Sequence, residues 1–337
     1  MMKKLILVLV LLILIAGVGG FFFLPGYLNR AFNEEEEIFL VEPGDSLPIV
    51  STKLYDAGII KSKLWFRYNG KDIATKIKPG SYTIDKDSSI QDIYSIIQKG
   101  EKEVPIVATF PEGFILYQFA SKVEELGFSA ADDFIEKTEE YYTNNLKQEF
   151  SNEDLFFSME GYLFPETYYF SKKQTIEEII ETLYKTGLGV WDEGMINKLN
   201  QSSYTKHEIL TIASLIEREA YNDEERQTIS GVIYNRLNKG MPLQIDATVI
   251  YGIGEGKEHM TRVLYEDLES DNPFNTYKNK GIPLGPIANP GKNSIYASLF
   301  PQEHDYLYYV MGENGHVFAK TYAEHLVNVE NYRKLNK

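Results

Sequence analysis

Two glutamates, Glu217 and Glu219, end a stretch in which residues 209–216 are mostly apolar. Residues two apart on a helix point about 200° apart, so the two carboxylates lie on different faces. Glu219 continues the bulky apolar stripe of Ile212 and Ile216, which directs it toward the core. A carboxyl group that loses water has a raised pKa, as a general acid at neutral pH requires. The pattern therefore favours Glu219 as a general acid.

A structural interpretation of the same two glutamates stays open. Either one could form a buried ion pair with an arginine, and structural ion pairs also perturb pKa values. The candidate partners in the sequence are Arg218, Arg226 and Arg236. The residue types alone do not decide which glutamate, if either, is paired.

Two predicted helices position these side chains. Thr205 and Glu208 have the spacing of a capping box, which predicts the start of a helix that is apolar on most of its surface. A second amphipathic helix follows, with Asn222 or Asp223 as its N-cap and Gly240 at its end. The first helix is expected to be buried, with Glu217 and Glu219 at its C-terminal end.

Polar residues alternate after the second helix. Gln244, Asp246 and Thr248 follow the period of two that is typical of one face of an extended segment. Amide, carboxylate and hydroxyl groups suit hydrogen bonding to sugar hydroxyls and N-acetyl groups, and they equally suit an ordinary solvated strand. Further on, six of the eleven residues 281–291 are Pro or Gly, which predicts a long irregular loop of the kind that often carries function.

The composition excludes several classes of function. A net charge of −15 argues against nucleic acid as the main partner. The absence of cysteine excludes disulfides, iron–sulfur clusters and Cys-ligated zinc. The His207-Glu208 pair lacks the second histidine of the zinc-protease motif, because Thr211 occupies that position. The sequence therefore predicts neither a metal site nor a cofactor.

The N-terminal region predicts a membrane anchor. Residues 5–24 are apolar or glycine, and about 20 helical residues span a bilayer core. Lysines precede this run and an acidic stretch at 34–37 follows it, which predicts a cytoplasmic N-terminus and an extracytoplasmic remainder in the cell membrane. A cleaved signal peptide is the alternative, although the run is long for one. We assign 1–4 to a cytoplasmic tail, 5–25 to a single transmembrane helix and 26–37 to an acidic spacer.

The rest of the chain predicts an α+β fold in two parts. Residues 38–104 contain short strands and helices, and they resemble the small LysM-type carbohydrate-binding module. A plain α/β packing module has much the same pattern, so both interpretations stay open. Residues 105–337 form the predicted mixed α/β catalytic domain.

The ordered motifs of the second part closely resemble those of the endolytic murein transglycosylases. The motifs that carry the resemblance lie at 212–219, 235–237, 243–252, 275–277 and 281–291. The likeness implies cleavage of peptidoglycan glycan strands between N-acetylmuramic acid and N-acetylglucosamine. It also implies that the muramic 6-hydroxyl attacks its own anomeric carbon, which yields 1,6-anhydro ends.

The resemblance also implies roles for particular residues. The family's catalytic glutamate corresponds to Glu219, the residue that the helical-face argument favours independently. We expect five polar or aromatic residues to line the glycan groove: Gln244, Asp246, Tyr251, Asn275 and Tyr277. The expected partners are peptidoglycan strands, the membrane and peptidoglycan synthases.

Two other classes of function stay open. A conventional glycosidase would use Glu219 together with a second carboxylate, Asp246 or Glu224. A non-catalytic scaffold of the cell-wall synthesis machinery would bind glycan without cutting it. The first alternative differs in the product it releases, and the second predicts that Glu219→Gln has no effect in vivo.

Overall fold

The computed structural model describes residues 25–30, 37–86, 88–100, 105–147, 155–257 and 263–335. The chain divides into two compact units, Met1–Ile106 and Val107–Lys337. Residues 5–24 of the predicted anchor, and most of the acidic stretch, lie outside the described residues. Among the described residues, no helix has the length and apolar character needed to cross a membrane.

Within its described residues, the first unit combines a small sheet with short helices. Strands β1 (Glu37–Val41) and β2 (Gly80–Ile84) pair in antiparallel fashion. Its helices are α1 (Leu47–Asp56), α2 (Lys63–Asn69) and α3 (Ile90–Lys99). One hydrophobic core joins the sheet to the helices through the fully buried Val50, Leu54, Phe66, Tyr82 and Ile93. The LysM-like assignment of this unit stays a prediction.

The second unit is mainly helical. Its helices are α4 (Leu116–Glu125), α5 (Ala131–Asn145), α6 (Ile176–Gly189), α7 (Glu193–Gln201), α8 (Lys206–Glu219), α9 (Arg226–Asn238), α10 (Asp246–Ile253), α11 (Lys292–Leu299) and α12 (Tyr322–Leu335). Strand β3 (Ile106–Thr109) pairs with β4 (Thr167–Phe170), and β5 (Tyr308–Met311) pairs with β6 (His316–Ala319). The described fold is thus mixed α/β, with helices and small two-stranded sheets.

Helix α8 lies in the core of this unit, as its sequence predicts. Thr205 accepts a hydrogen bond from the Glu208 amide, and the Glu208 side chain completes the capping box. Residues 209–216 are all buried, and the helix packs against α9, α10 and α11. The helix ends at Glu219, because Ala220 is already extended.

The structure corrects two predicted features near the site and confirms a third. The prediction that Gln244, Asp246 and Thr248 form an extended segment is wrong, because Asp246 begins α10. Alternation over three residues is a weak signal, and burial of Val249 and Tyr251 on this helix outweighs it. The prediction that Asn222 or Asp223 caps the second helix is also wrong, because Asn222 caps a short 3₁₀ turn (Asp223–Glu225) and Glu225 precedes α9. Residues 281–291 form no helix or strand, as predicted.

Candidate active site

An open cleft in the second unit contains Glu219. Its volume is about 310 Å³. Its walls come from the ends of α8 and α9, the segment that leads into α10, the loop that contains Tyr277, β5 and α12. The lining residues are Glu219, Arg236, Leu243, Gln244, Asp246, Tyr277, Tyr309 and His325.

The Glu219 carboxylate is half-buried at one wall of this cleft. Its Oε2 accepts a hydrogen bond of 2.7 Å from the Tyr309 hydroxyl, the single hydrogen bond that it makes within the described part of the chain. Burial raises the pKa of Glu219 above the usual glutamate value, although the Tyr309 hydrogen bond and the charge of His316 oppose the rise. Burial also holds the pKa of Tyr309 well above its usual value, so its hydroxyl stays protonated and donates.

Glu217 has a different environment two residues earlier. Its Oε1 lies 3.0 Å from Arg226 Nη1 in an ion pair whose side chains are both nearly buried. Its Oε2 accepts a 3.0 Å hydrogen bond from the Gly291 amide, at the start of α11. The ion-pair alternative therefore applies to Glu217, and Glu219 is left facing the cleft.

Three of the five predicted groove residues lie in the same cleft as Glu219. The Tyr277 hydroxyl donates to Asp246 Oδ1 at 2.5 Å, and the charge of Asp246 contributes to the raised pKa of Glu219. Gln244 has a φ of 52°, in the left-handed region that disfavours residues other than glycine. A strained residue of this kind is typical of a functional site.

The other two predicted groove residues lie in the core. Tyr251 is 3% exposed, and its hydroxyl donates to Glu160 at 3.2 Å. Asn275 is fully buried, and its amide donates to the carbonyl oxygens of Leu268 and Ser270, both at 2.9 Å. These side chains support neighbouring loops and do not line the cleft.

Sequence reasoning missed several cleft residues. Tyr309 and His325 were not candidates, and Arg236 was considered only as an ion-pair partner. An Asn-Gly pair at 314–315 is a hairpin signal that could have located β5 and β6. No local pattern identifies which tyrosine of β5 reaches Glu219, because the two residues are 90 positions apart. Within the described residues, no group of three or more acidic or histidine side chains could hold a metal ion.

Comparison with known proteins assigns the family. Residues 39–331 match the model of the YceG-like family, and the chain belongs to this family. A relative from Bacillus subtilis named endolytic murein transglycosylase is 37% identical over 304 residues, which cover 87% of this chain and 83% of the relative. A Streptococcus pneumoniae protein of the same name is 30% identical over 371 residues, covering 99% of this chain and 66% of that protein.

A solved structure agrees with this assignment. A YceG-like protein from Listeria monocytogenes, known from a crystal structure, shares 31% sequence identity with this chain, and the two structures superpose with a TM-score of 0.62. The match covers 88% of this chain and 99% of the Listeria chain.

Proposed function

We propose that this protein is a peptidoglycan lytic transglycosylase that cuts within glycan strands, with Glu219 as its acid and then its base. The observation that carries the proposal is the half-buried Glu219 carboxyl, which has a raised pKa and faces an open cleft. The neighbouring Glu217 forms an ion pair with Arg226 and does not face the cleft. The two relatives named endolytic murein transglycosylase support the same activity.

The proposed reaction needs one carboxyl group. Protonated Glu219 donates its proton to the glycosidic oxygen as the bond from that oxygen to the muramic anomeric carbon breaks. The resulting carboxylate then accepts the proton of the muramic 6-hydroxyl, whose oxygen forms a bond to the anomeric carbon. The products are a 1,6-anhydro end and a new chain end with a free hydroxyl. Because the nucleophile is tethered to the substrate, proximity replaces the second carboxylate of ordinary glycosidases.

Tyr309 would hold the Glu219 carboxyl in position through both steps. Its hydroxyl donates to Oε2, which leaves Oε1 for the proton that is transferred. The other cleft residues Gln244, Asp246 and Tyr277 offer amide, carboxylate and hydroxyl groups for sugar binding. The cleft must exclude water during the reaction, because water would compete with the 6-hydroxyl.

A conventional glycoside hydrolase is the second candidate. The observation that favours it is Asp246, a second carboxylate in the same cleft. Such an enzyme would use water and release a reducing end, so the product distinguishes the two reactions.

The mass of the released ends tests the proposal. The full-length chain is incubated with uncross-linked peptidoglycan strands, and the products are analysed by mass spectrometry. Ends that are lighter by one water than the hydrolysis product support anhydro formation. Reducing ends of ordinary mass would instead assign a hydrolase, and intact strands would favour the non-catalytic scaffold.

We further propose that the protein is a single-pass membrane protein with its catalytic unit outside the cell. The apolar run at 5–24, with lysines before it and acidic residues after it, supports this orientation. We also propose that the LysM-like unit binds glycan. The proposed protein partners are peptidoglycan synthases. Protease digestion of intact protoplasts tests the orientation: loss of the 105–337 region supports it, and full protection contradicts it.

A further inference from the structure

The cleft contains a cation that no described carboxylate neutralises. Arg236 is 9% exposed, yet its side chain lines the cleft that contains Glu219. Within the described residues, no acidic group forms an ion pair with it. Burial lowers the pKa of Arg236, and the charge of Glu219 opposes that effect. Because Glu219 must be protonated before it can act as an acid, it leaves the guanidinium without a counter-charge at that stage.

The guanidinium of Arg236 is held in a fixed orientation. Its Nε donates to the Leu307 carbonyl at 2.6 Å, and its Nη1 donates to the Leu243 carbonyl at 2.8 Å. It also lies over the Tyr308 ring, with 5.2 Å between Cζ and the ring centroid. Its Nη2 makes no hydrogen bond to any residue in the described ranges. A rigid guanidinium with one nitrogen to spare is well suited to binding a planar anion.

Two neighbours place uncharged hydrogen-bonding groups beside this guanidinium. The His325 ring stacks on Tyr308 with centroids 5.4 Å apart, and its buried Nδ1 lacks a hydrogen-bond partner among the described residues. Burial lowers the pKa of His325, so the ring is neutral and one nitrogen can donate. The strained Gln244 lies in the same cleft, where its Oε1 is 3.4 Å from Arg236 Nη1.

We propose that Arg236, Gln244 and His325 form a subsite for a carboxylate on the lactyl arm of muramic acid or on the peptide that this arm carries. The proposal rests on the proposed function, because it names the part of peptidoglycan that the cleft selects. The hydroxyl and N-acetyl groups of the sugars are neutral and do not require a guanidinium. A carboxylate on the muramic arm distinguishes peptidoglycan from a neutral polymer of N-acetylglucosamine.

Binding to three glycans of equal length tests the subsite. The full-length Glu219→Gln protein, which should not turn over its ligands, is titrated calorimetrically with each glycan. The first glycan carries stem peptides, the second is stripped by an amidase to free lactyl carboxylates, and the third is an N-acetylglucosamine oligomer. We expect at least one anionic glycan to bind about tenfold or more tightly than the neutral oligomer. Equal affinity for all three would overturn the subsite.

The two anionic glycans locate the charge. Preference for the peptide-bearing strand places the carboxylate in the stem, and preference for the stripped strand places it on the lactyl group. Adding Arg236→Gln should abolish the preference, so that the anionic and neutral glycans bind with similar affinity. A preference that survives Arg236→Gln would overturn the role of this arginine.

Further variants keep the test decisive if Arg236→Gln does not fold. Arg236→Lys retains the charge but cannot reproduce the planar fork, and His325→Phe retains the stacked ring without its nitrogens. Both should reduce the preference, and unchanged preference in both would contradict the proposal. Arg333→Gln, which removes an exposed arginine on α12, is the charge-matched control and should not change binding.

The experiments can refute the proposed subsite and the proposed enzyme activity independently. If the unsubstituted chain releases anhydro ends but Glu219→Gln binds all three glycans equally, the subsite is wrong and the activity stands. If Glu219→Gln prefers an anionic glycan but the unsubstituted chain releases no ends, the activity is wrong and the subsite stands.

Discussion

Two carboxyl groups of the second unit, the fully buried Glu160 and the half-buried Glu219, differ in what surrounds them. Glu160 is fully buried and accepts hydrogen bonds from the Leu116 amide at 3.0 Å, the Asn289 side chain at 2.9 Å and the Tyr251 hydroxyl at 3.2 Å. Glu219 accepts one hydrogen bond within the described part of the chain, from Tyr309, and faces an open cleft.

Burial raises the pKa of both groups, but only one of them can meet a substrate. The pKa of Glu160 is raised to about 8, a larger rise than many catalytic acids need. Its partners nevertheless belong to α4, α10 and the 281–291 loop, so it joins these elements together. A raised pKa therefore indicates a catalytic acid only where the carboxyl also has an open side.

Replacement of Glu219 should give the largest loss of activity. Glu219→Gln removes the proton that the leaving oxygen needs but preserves the size of the side chain. We expect cleavage of uncross-linked strands to fall by about 10²- to 10⁴-fold, as is usual when a general acid is lost. The rate of release of anhydro ends measures the effect.

Glu217→Gln is the matched control, two residues away on α8. It breaks the nearly buried ion pair with Arg226, and loss of one partner of such a pair costs about 3 kcal/mol of stability or more. Turnover well below the melting temperature should nonetheless remain close to that of the parent chain. Equal losses of activity in Glu217→Gln and Glu219→Gln would remove the distinction between the two carboxylates.

Glu160→Ala should mainly affect stability. The substitution leaves three buried donors, from Leu116, Asn289 and Tyr251, without their shared acceptor. We expect the free energy of unfolding to fall by about 3 kcal/mol, measured by urea denaturation. An unchanged free energy of unfolding would contradict a structural role for this carboxyl.

Glu160 should also make stability depend on pH. Its folded pKa of about 8 exceeds the ordinary value of 4.5, so its contribution is complete below about pH 4.5 and is lost as the pH rises to about 8. The slope from this group is at most about 1.4 kcal/mol per pH unit. Urea titrations of the parent and Glu160→Gln chains at several pH values should give a flatter profile for the variant. Parallel profiles would show that Glu160 does not titrate in this range.

Tyr309→Phe should have the smallest of these effects. The change removes one hydrogen bond to Glu219 Oε2, and we expect the rate to fall by roughly two- to tenfold. Because the phenol stabilises the carboxylate, its loss should also move the alkaline limb of the pH–rate profile to higher pH. Tyr296→Phe, on an exposed part of α11, is the control. A lower rate with an unmoved limb would assign Tyr309 to packing alone.

Local signals in the sequence predicted the helix that carries Glu219, but not the distant residues that complete the cleft. The capping box of Thr205 and Glu208 and the apolar run after it depend on neighbours in sequence, and they located α8 correctly. The helix at Asp246 was missed because burial of Tyr251 is a tertiary effect. The Tyr309 contact and the Arg236 stack on Tyr308 join distant segments, and no periodicity encodes them.

The pH dependence of cleavage tests the central claim most directly. Glu219 must be protonated to donate, so activity is present below its raised pKa and is lost as the pH rises through that value. We predict a kcat/KM profile for uncross-linked strands whose alkaline limb lies above the ordinary glutamate pKa of 4.5. An alkaline limb at the ordinary glutamate pKa, or a rate that does not fall at any alkaline pH, would contradict the claim that the half-buried, protonated Glu219 is the acid.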